Sequence, residues 1–398
     1  MSDKYQYNKK DQELALGNDE LICAHLGDEY EKFLGAVIPP LFQNSLHVHP
    51  TVEAMWDPEP GTFRYARVSN PTVDIFERKV AALERTERAV AFGSGMGAIT
   101  GCILAAVSCG GHFVGVEGMY GPTRTFVTDF FPKIGVEATY ITGSCLEELK
   151  AALKPNTQCI YLESPTSVAL RMQDLAAIAA IAKERGIPTI IDNSWASPIY
   201  QKPHLLGIDM VAHTVSKYIG GHSDIVAGIA CGSDEWMTKV AKVREIYGSM
   251  LGPFEAWLAI RGLRTLPVRL KASMAAGLKV ARFLEQHPQV ERVIYPGLES
   301  HPDFAIGQKQ LSGYGSLMSF LPKGDIEQIK AFANRLTWFK LGVSWGGFES
   351  LITVSRHNPT PEEQERRGVY PGLVRIYVGL EDVEVLIEDL DSSLKQIV

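Results

Sequence analysis

The chain has 398 residues, 45% of which are hydrophobic, and a formal net charge of −7 at pH 7. This length allows two domains with large cores, and the net negative charge argues against nucleic acid or an anionic membrane as the main partner. Residues 1–20 are polar and lack the apolar segment of a signal peptide, and no apolar run is long enough to span a bilayer. We therefore expect a soluble cytoplasmic protein.

The cysteines show no CxxC spacing, and several of them lie in apolar runs. This pattern is typical of buried free thiols in a reducing compartment and not of a disulfide framework or a zinc site. The six cysteines are Cys23, Cys102, Cys109, Cys145, Cys159 and Cys231.

The first segment, residues 1–62, predicts an irregular N-terminal arm. Its prolines, including Pro39 and Pro40, interrupt any regular element. So long an irregular segment is usually functional or packed on a partner subunit. His47 and His49 lack a third ligand nearby in the sequence, so we predict a strand or turn contact there and no metal site.

A tyrosine and an arginine precede the first predicted long helix. Tyr65 and Arg67 come just before Asn70, which suits a helix N-cap, and Pro71, which suits the first helical position. If this stretch is extended, the side chains of Tyr65 and Arg67 point the same way. They either hold an anion together or form an ordinary surface pair, and the residues alone leave both interpretations open.

From residue 88 onward the sequence alternates between short apolar runs and helical patterns. The predicted strands are residues 88–92, 112–116, 136–141, 159–162, 189–192 and 208–212, and helices are predicted at residues 121–131, 146–153 and 175–185. This alternation predicts an α/β fold, with a mainly parallel sheet and helices on both faces. In such a sheet, ligands bind beyond the carboxyl ends of the strands.

The pattern changes after a long helical segment, residues 255–284, which we expect to be interrupted at Pro267. Later strands are predicted at residues 290–295, 315–321, 351–354 and 373–378, and helices at residues 326–336 and 383–397. We place a domain boundary near Gly262. The predicted segments are the arm of residues 1–62, a large domain of residues 63–262 and a smaller α+β domain of residues 263–398.

Three groups with different chemistry follow predicted strands of the large domain. The glycine-rich stretch of residues 93–97 opens a helix, so its backbone amides can cradle a phosphate. Asp192 ends the fifth strand, where a buried carboxylate needs a partner. Lys217 follows the sixth strand and the hydroxyls of Thr214 and Ser216. Burial can lower the pKa of a lysine enough for it to form a Schiff base with an aldehyde.

These groups match the needs of pyridoxal 5′-phosphate, which requires a lysine for its aldehyde, amides and hydroxyls for its phosphate, and a carboxylate for its pyridine nitrogen. Tyr120 follows the second strand, where an aromatic face can stack on the ring. Two alternatives stay open. The glycine stretch with Glu117 fits a dinucleotide-binding fingerprint, which leaves Asp192 and Lys217 unexplained. Lys217 alone is also compatible with a surface lysine.

Several motifs in a fixed order resemble the Cys/Met-metabolism family of pyridoxal-phosphate enzymes, and they extend from Tyr65 to the C-terminal region. They are Tyr65-x-Arg67 with Asn70-Pro71-Thr72, Ser94-Gly95-Met96, Tyr120-Gly121, Glu163-Ser164-Pro165, Asp192-Asn193-Ser194-Trp195, Ser216-Lys217-Tyr218 and Arg375-Ile376-Tyr377-Val378-Gly379-Leu380-Glu381-Asp382. The resemblance implies fold type I, the architecture of aspartate aminotransferase, with a mainly parallel seven-stranded sheet in the large domain and a smaller α+β C-terminal domain.

The resemblance also implies residue roles. Lys217 would carry the cofactor and later move the Cα proton, Asp192 would pair with the pyridine nitrogen, and Tyr120 would stack on the ring. The residues implied to bind the phosphate are Gly95, Met96, Thr214 and Ser216, together with Tyr65 and Arg67 from a neighbouring subunit. The residues implied to bind a sulfur amino acid are Arg375, which would clamp its carboxylate, with Ser344 and Trp345 beside it.

Within this family the chain is similar to the bacterial cystathionine β-lyases, on Tyr120-Gly121-Pro122-Thr123-Arg124 and Ser344-Trp345-Gly346-Gly347-Phe348-Glu349-Ser350. This likeness implies a carbon–sulfur β-lyase that cleaves L-cystathionine or a related cysteine S-conjugate to a thiol (homocysteine), pyruvate and ammonia. It also implies a homotetramer whose active sites are shared between paired subunits.

Some positions depart from the branches of the family. Val343 stands where members acting on the γ-carbon of cystathionine have glutamate and where β-lyases of this type often have tyrosine. Pro122 stands where methionine γ-lyase has a cysteine, and Ser167 replaces an asparagine that many members place near the cofactor. A γ-acting member, methionine γ-lyase or cystathionine γ-synthase, is therefore the main alternative. An NAD-dependent oxidoreductase and a non-catalytic binding protein are the alternatives from other classes.

Overall fold

The strands fall into two groups along the chain. The computed structural model describes residues 17–59 and 61–397, and within them the strands form one sheet of seven and one of five. The strands of the first sheet are β1 (Arg88–Phe92), β2 (His112–Val116), β3 (Glu137–Ile141), β4 (Thr157–Glu163), β5 (Thr189–Asp192), β6 (Met210–Thr214) and β7 (Gly228–Gly232). Those of the second are β8 (Val290–Ile294), β9 (Leu317–Pro322), β10 (Lys340–Leu341), β11 (Leu351–Val354) and β12 (Val374–Tyr377).

Helices separate most of these strands. In the N-terminal half they are α1 (Asp19–His25), α2 (Val52–Trp56), α3 (Pro71–Glu84), α4 (Gly95–Ala106), α5 (Gly121–Phe130), α6 (Leu146–Ala152), α7 (Leu175–Glu184) and α8 (Ser197–Tyr200). In the C-terminal half they are α9 (Asp234–Tyr247), α10 (Pro253–Gln286), α11 (Phe304–Gln310), α12 (Ile326–Arg335), α13 (Pro361–Arg367) and α14 (Val383–Leu394). Short 3₁₀ turns cover Phe131–Ile134 and Pro203–Leu206.

The first sheet has the strand order β1-β7-β6-β5-β4-β2-β3. Strand β7 runs antiparallel to both of its neighbours, and the remaining pairs are parallel. The prediction of a mainly parallel α/β sheet is therefore confirmed within the described residues. Strand β7 itself was not predicted. Its short Gly-Ile-Ala-Cys-Gly sequence does not alternate between apolar and polar residues, and it contains few β-branched residues.

The strands at the centre of this sheet are buried on both faces, which explains their continuous apolar runs. In the register of β4, β5 and β6, Glu163 lies opposite Asp192, and Asp192 lies opposite Ala212. The carboxyl ends of these strands therefore meet at one edge, as the position of the predicted site requires.

The long helix α10 corrects the sequence prediction. It continues from Pro253 to Gln286 with Pro267 inside it, and we had expected an interruption at that proline. Pro267 is buried, and Leu263, Leu266 and Leu270 pack into the core on either side of it. Burial of this apolar face compensates for the hydrogen bond that proline removes. The predicted boundary near Gly262 falls inside this helix, and the division into domains stays a prediction.

The N-terminal arm also contains more regular structure than predicted. Helices α1 and α2 begin at side-chain caps, where Asn18 accepts from the amide of Leu21 and Thr51 accepts from the amide of Ala54. The proline argument missed both helices because α1 lies before the first proline, Pro39, and α2 fits between Pro50 and Pro58. Residues 1–16, which belong to the predicted arm, lie outside the described residues.

Two predictions about surface chemistry can be compared with the structure. Every cysteine lies in the described part of the chain and is a free thiol, but Cys109 and Cys145 are exposed, which corrects the expectation that all are buried. Cys109 lies in the loop after α4, and Cys145 lies in the loop after β3. Among residues 17–59 and 61–397, no cluster of three metal-ligand side chains occurs and no helix is long and apolar enough to cross a membrane.

Candidate active site

Lys217 lies in the loop that follows β6, and its amine faces the C-terminal part of the chain. Its Nζ donates a 2.6 Å hydrogen bond to Oγ of Ser344 and lies 5.3 Å from the centre of the Trp345 ring. Burial, and then the positive charge of Arg375, lowers the pKa of Lys217 to about 8. An amine with such a pKa is available as a nucleophile near neutral pH.

Asp192 ends β5 and is held in place by the residue two positions later. The backbone amide of Ser194 donates to Oδ1 of Asp192 at 2.9 Å, and the Ser194 hydroxyl donates to the same oxygen at 2.5 Å. The Ser194 hydroxyl in turn accepts from the amide of Thr214 at 2.7 Å. This chain of hydrogen bonds fixes the carboxylate relative to β6 and the lysine loop. Burial raises the pKa of Asp192, while the Ser194 hydrogen bonds and the nearby Lys217 charge oppose that effect.

The predicted phosphate cradle lies at the first turn of α4. Ser94 caps this helix by accepting from the amide of Gly97 at 3.0 Å. A Cβ atom on Gly95 would lie only 2.6 Å from Cβ of Thr214, so the lysine loop touches the helix N-terminus at this point. Glycine is required here because any side chain would separate the two segments. Backbone amides beside a hydroxyl at a helix N-terminus are suited to an anion.

Two further members of the predicted cradle have contacts of their own. The Thr100 hydroxyl donates to the carbonyl of Met96 at 2.7 Å. The backbone amide of Met96 lies in the first turn of α4. The Ser216 hydroxyl accepts from the amide of Ala227 at 3.1 Å and is half-buried. Ser216 directly precedes Lys217, so this bond fixes the start of the loop that carries the lysine.

Arg375 and Tyr120 line the opposite side of the site. The guanidinium of Arg375 donates to the carbonyl of Val343 at 2.9 Å, and no acidic side chain pairs with it in the part of the chain that the structure describes. Burial lowers the pKa of Arg375, and the Tyr120 hydroxyl lies near enough to influence it. A half-buried guanidinium without its own carboxylate is suited to the carboxylate of an amino acid.

A glycine brings the substrate-side segment against the lysine loop. Gly346 has a φ of +87°, and a Cβ atom there would lie 2.8 Å from the amide nitrogen of Tyr218 and 2.9 Å from Cα of Lys217. Residues 344–346 can therefore approach the lysine backbone only if position 346 is glycine. This contact explains how Ser344 and Trp345 reach the amine of Lys217.

Gly346→Ala should lower kcat/KM by about 10²-fold, because the added methyl group pushes Ser344 and Trp345 away from Lys217. Steady-state kinetics on the purified protein would measure this loss. Gly248→Ala is the matched control, since Gly248 has a φ of +74° but no atom within 4 Å of the added Cβ. Both variants carry the cost of a left-handed alanine, about 1 kcal/mol, so equal activity in the two would contradict the packing argument.

Tyr65 and Arg67 are not brought to this site within one protomer. Residues 65–68 form a turn in which the amide of Val68 donates to the carbonyl of Tyr65, so the stretch is not extended and the condition for side chains that point the same way is not met. Arg67 lies 5.6 Å from the Tyr65 ring centre and donates to the carbonyl of Glu245. Both side chains are exposed in the protomer, and the binding of an anion by these two residues stays a prediction.

Sequence reasoning gave no role to two acidic residues, one near the amine and one beside Asp192. Glu349 accepts from the Ser223 hydroxyl at 2.5 Å, and its charge opposes the lowering of the Lys217 pKa. Glu163 ends β4 beside Asp192 and accepts from the amide of Tyr120 at 2.7 Å. The position of Glu163 at the end of an apolar run, like that of Asp192, was a signal for it. Glu349 had no comparable signal, because its contact joins two distant loops.

The geometry agrees with the comparisons to known proteins. The family described as Cys/Met metabolism PLP-dependent enzyme matches residues 20–395. The chain belongs to this family. It is 38% identical over 373 residues to an L-methionine γ-lyase from Fusobacterium nucleatum subsp. polymorphum, with 91% of this chain and 94% of that protein covered. Another relative is a cystathionine γ-lyase from Bacillus subtilis, 37% identical with 94% and 99% of the two chains covered.

A cystathionine β-lyase from Lactococcus lactis subsp. cremoris is similar to the same degree, at 37% identity with 94% of this chain and 97% of that protein covered. The crystal structure of metB from Corynebacterium glutamicum superposes with a TM-score of 0.89 at 33% identity, over 96% of this chain and 99% of that one. The predicted fold type I architecture is thereby confirmed.

Membership in the family establishes a pyridoxal-phosphate-dependent enzyme of sulfur amino-acid metabolism that belongs among the carbon–sulfur lyases. The side chains present fit this cofactor, since a buried amine, a strand-end carboxylate and a helix N-terminus packed on Thr214 converge at one sheet edge. The same residues account for the glycine stretch without a dinucleotide. The names of the relatives cover both β- and γ-cleavage.

Proposed function

We propose that the protein is a β-lyase that cleaves L-cystathionine, or a related cysteine S-conjugate, to a thiol, pyruvate and ammonia. The observation that carries this proposal is the contact of the Lys217 amine with Ser344 and the Trp345 ring. β-Elimination requires removal of one proton, from Cα, whereas γ-elimination requires a second removal, from Cβ. A large ring packed beside the amine restricts the lysine to one position and therefore supports the single-proton reaction.

The proposed cofactor contacts follow from the geometry of the sheet edge. Lys217 would hold the aldehyde end, Asp192 the pyridine nitrogen and Tyr120 the ring face. The residues proposed to hold the phosphate are Gly95, Met96, Thr214 and Ser216. Pyridoxal phosphate, when bound, withdraws electrons from the substrate and makes its Cα–H bond acidic.

The chain's own side chains then orient the substrate and move its protons. Arg375 would bind the substrate α-carboxylate through two parallel hydrogen bonds, with the Ser344 hydroxyl beside it. The Lys217 amine, with its lowered pKa, would accept the Cα proton. The Tyr120 hydroxyl, near Arg375, would donate a proton to the departing sulfur. The released three-carbon product hydrolyses to pyruvate and ammonia.

One residue favours the second candidate, a γ-acting enzyme. Val343 is 86% exposed at the mouth of the site and carries no charge for the distal end of cystathionine. An L-methionine γ-lyase is among the relatives at 38% identity. An apolar residue at this position suits the short methyl thioether of methionine as well as a longer thioether.

Product analysis separates the two candidates. The protein loaded with pyridoxal phosphate would be incubated with L-cystathionine and, separately, with L-methionine, and the keto acids would be identified. Pyruvate with homocysteine from cystathionine, and no turnover of methionine, is the expected result. Formation of 2-oxobutyrate from either substrate would show γ-cleavage and would contradict the β-lyase proposal.

Arg375→Ala should raise KM and lower kcat/KM by about 100-fold, because it removes a charge-assisted pair to the substrate carboxylate. Steady-state kinetics with L-cystathionine would measure both constants. Arg375→Lys keeps the charge without the two-pronged geometry, so it should recover only part of the loss. Unchanged kinetics in both variants would show that another group binds the carboxylate.

We also propose that Tyr65 and Arg67 complete the phosphate site of a neighbouring subunit in a homotetramer. Both side chains are exposed in the protomer and lie in an arm region rich in exposed apolar residues such as Val48 and Trp56. Such a surface is commonly covered in an oligomer.

Mixing two inactive variants tests the shared site. Lys217→Ala and Arg67→Ala proteins, unfolded and refolded together, should regain activity at roughly a quarter of the sites, because a mixed pair contains one intact site. Each variant refolded alone is the control. Failure of the mixture to exceed the sum of the separate proteins, with mixed oligomers present, would contradict a shared site.

A further inference from the structure

Glu163 is a buried carboxyl group to which the proposed mechanism assigns no role. It is the last residue of β4, is 4% exposed, and lies opposite Asp192 in the parallel register of β4 and β5. Partners in a parallel pair lie on the same face of the sheet, with strands about 4.8 Å apart. Two carboxyl groups therefore lie side by side beneath the proposed cofactor site.

The contacts of Glu163 tie it to Tyr120. Its Oε2 accepts from the backbone amide of Tyr120 at 2.7 Å, and the hydroxyl of nearby Ser167 favours the charged form of the same carboxyl group. Tyr120 is the N-cap residue of α5, and its own side chain makes no capping hydrogen bond to that helix. The carboxyl group of Glu163 thus fixes the main chain of the residue proposed to stack on the ring.

Two adjacent buried carboxyl groups do not both ionise readily. Burial raises the pKa of Asp192, but its two hydrogen bonds from Ser194 and the positive charge of nearby Lys217 favour its charged form. Burial, and then the charge of Asp192, raises the pKa of Glu163 to about 8, against the opposing effects of the Ser167 hydroxyl and the Tyr120 amide. Tyr161, two residues earlier on β4, is also titratable, and its burial raises its pKa well above the ordinary value of a tyrosine.

We propose that Glu163 is a positioning residue that works in its protonated form, holding the Tyr120 main chain in place and leaving Asp192 as the single carboxylate charge available to the pyridine nitrogen. This inference rests on the roles proposed above for Tyr120 and Asp192. It explains why a glutamate is compatible with a position beside Asp192: as a neutral group it adds a hydrogen-bond acceptor and no second charge.

Infrared spectroscopy of the full-length protein loaded with pyridoxal phosphate tests the protonation state directly. The difference spectrum of the wild-type protein and Glu163→Gln should contain the carbonyl band of a protonated carboxyl group at pH 6.5. That band should disappear as the pH rises through about 8, where Glu163 ionises. Absence of the band at pH 6.5, with both proteins folded, would overturn the proposal.

Glu163→Gln should keep the visible spectrum of the bound cofactor and a kcat within about 3-fold of the wild-type value, because a neutral amide oxygen can still accept from the Tyr120 amide. Glu163→Ala should lose the visible spectrum of the bound cofactor, and its kcat should fall by at least about 10-fold. Loss of the cofactor spectrum in a folded Glu163→Gln protein would mean that the charged form is needed.

Ser167→Ala gives a test that does not depend on replacing Glu163. The Ser167 hydroxyl favours the charged form of Glu163, so its removal should move the disappearance of the carboxyl band to higher pH. An unmoved band would contradict the assignment to Glu163. These infrared outcomes are independent of which keto acid the enzyme forms, so failure of the β-lyase proposal and failure of this one are distinguishable.

Discussion

Lys217→Ala is expected to abolish the yellow colour of the cofactor-loaded protein and to lower kcat by at least about 10⁴-fold. The variant lacks both the amine that binds the cofactor aldehyde and the base that accepts the Cα proton. An alanine methyl group can neither bind an aldehyde nor accept a proton, and the substitution also removes the donor to the Ser344 hydroxyl. Visible absorption and keto-acid release would measure the two losses.

Lys239→Ala is the control for this variant. Lys239 is an exposed lysine of α9 that pairs with Glu235 one turn earlier, and such surface pairs contribute at most about 1 kcal/mol. The control should keep the colour and the activity of the wild-type protein. A Lys217→Ala protein that remained coloured and active to the same degree would remove the basis for the site.

Asp192→Asn is expected to lower kcat by about 10³-fold while leaving the fold intact. Asparagine still offers an oxygen to the amide and hydroxyl of Ser194, so the local hydrogen bonds persist. The negative charge that keeps the pyridine nitrogen protonated is lost, and the ring withdraws electrons less strongly. Single-turnover kinetics, with the visible spectrum recorded in parallel, would measure the slower proton removal.

Asp209→Asn is the matched control in the same sheet. Asp209 precedes β6 and accepts from the amide and hydroxyl of Thr189 at 2.8 Å, at the opposite end of the strands from the site. The substitution should cost stability of about 1 kcal/mol and leave kcat unchanged. A similar loss of activity in both variants would show that the effect comes from the sheet and not from the charge at the site.

Sequence analysis predicted the position in the fold of those polar residues that directly follow an apolar run. Asp192 ends a buried strand and Lys217 follows another, so the carboxyl edge of the parallel sheet brings both to one place. Asn70 and Pro71 likewise mark the start of α3 at the predicted residues. These features depend on local sequence and on the general rule for parallel sheets, and neither needs knowledge of tertiary contacts.

The features that sequence analysis missed depend on contacts between distant segments. Pro267 lies inside a continuous helix because apolar burial outweighs the lost hydrogen bond, which only packing can decide. Gly346 is required by its distance to the Lys217 backbone, some 130 residues away in sequence. The protonation of Glu163 depends on its register with Asp192. Each is a property of the assembled site and not of a local pattern.

Borohydride reduction followed by peptide mass analysis tests the central claim most directly. The full-length protein loaded with pyridoxal phosphate would be reduced, digested and searched for the lysine that retains the cofactor. The site described above predicts that the mass of the reduced cofactor appears on the peptide containing Lys217 and on no other lysine peptide. Labelling of a different lysine, or no labelling of a protein that binds the cofactor, would contradict the assignment of Lys217.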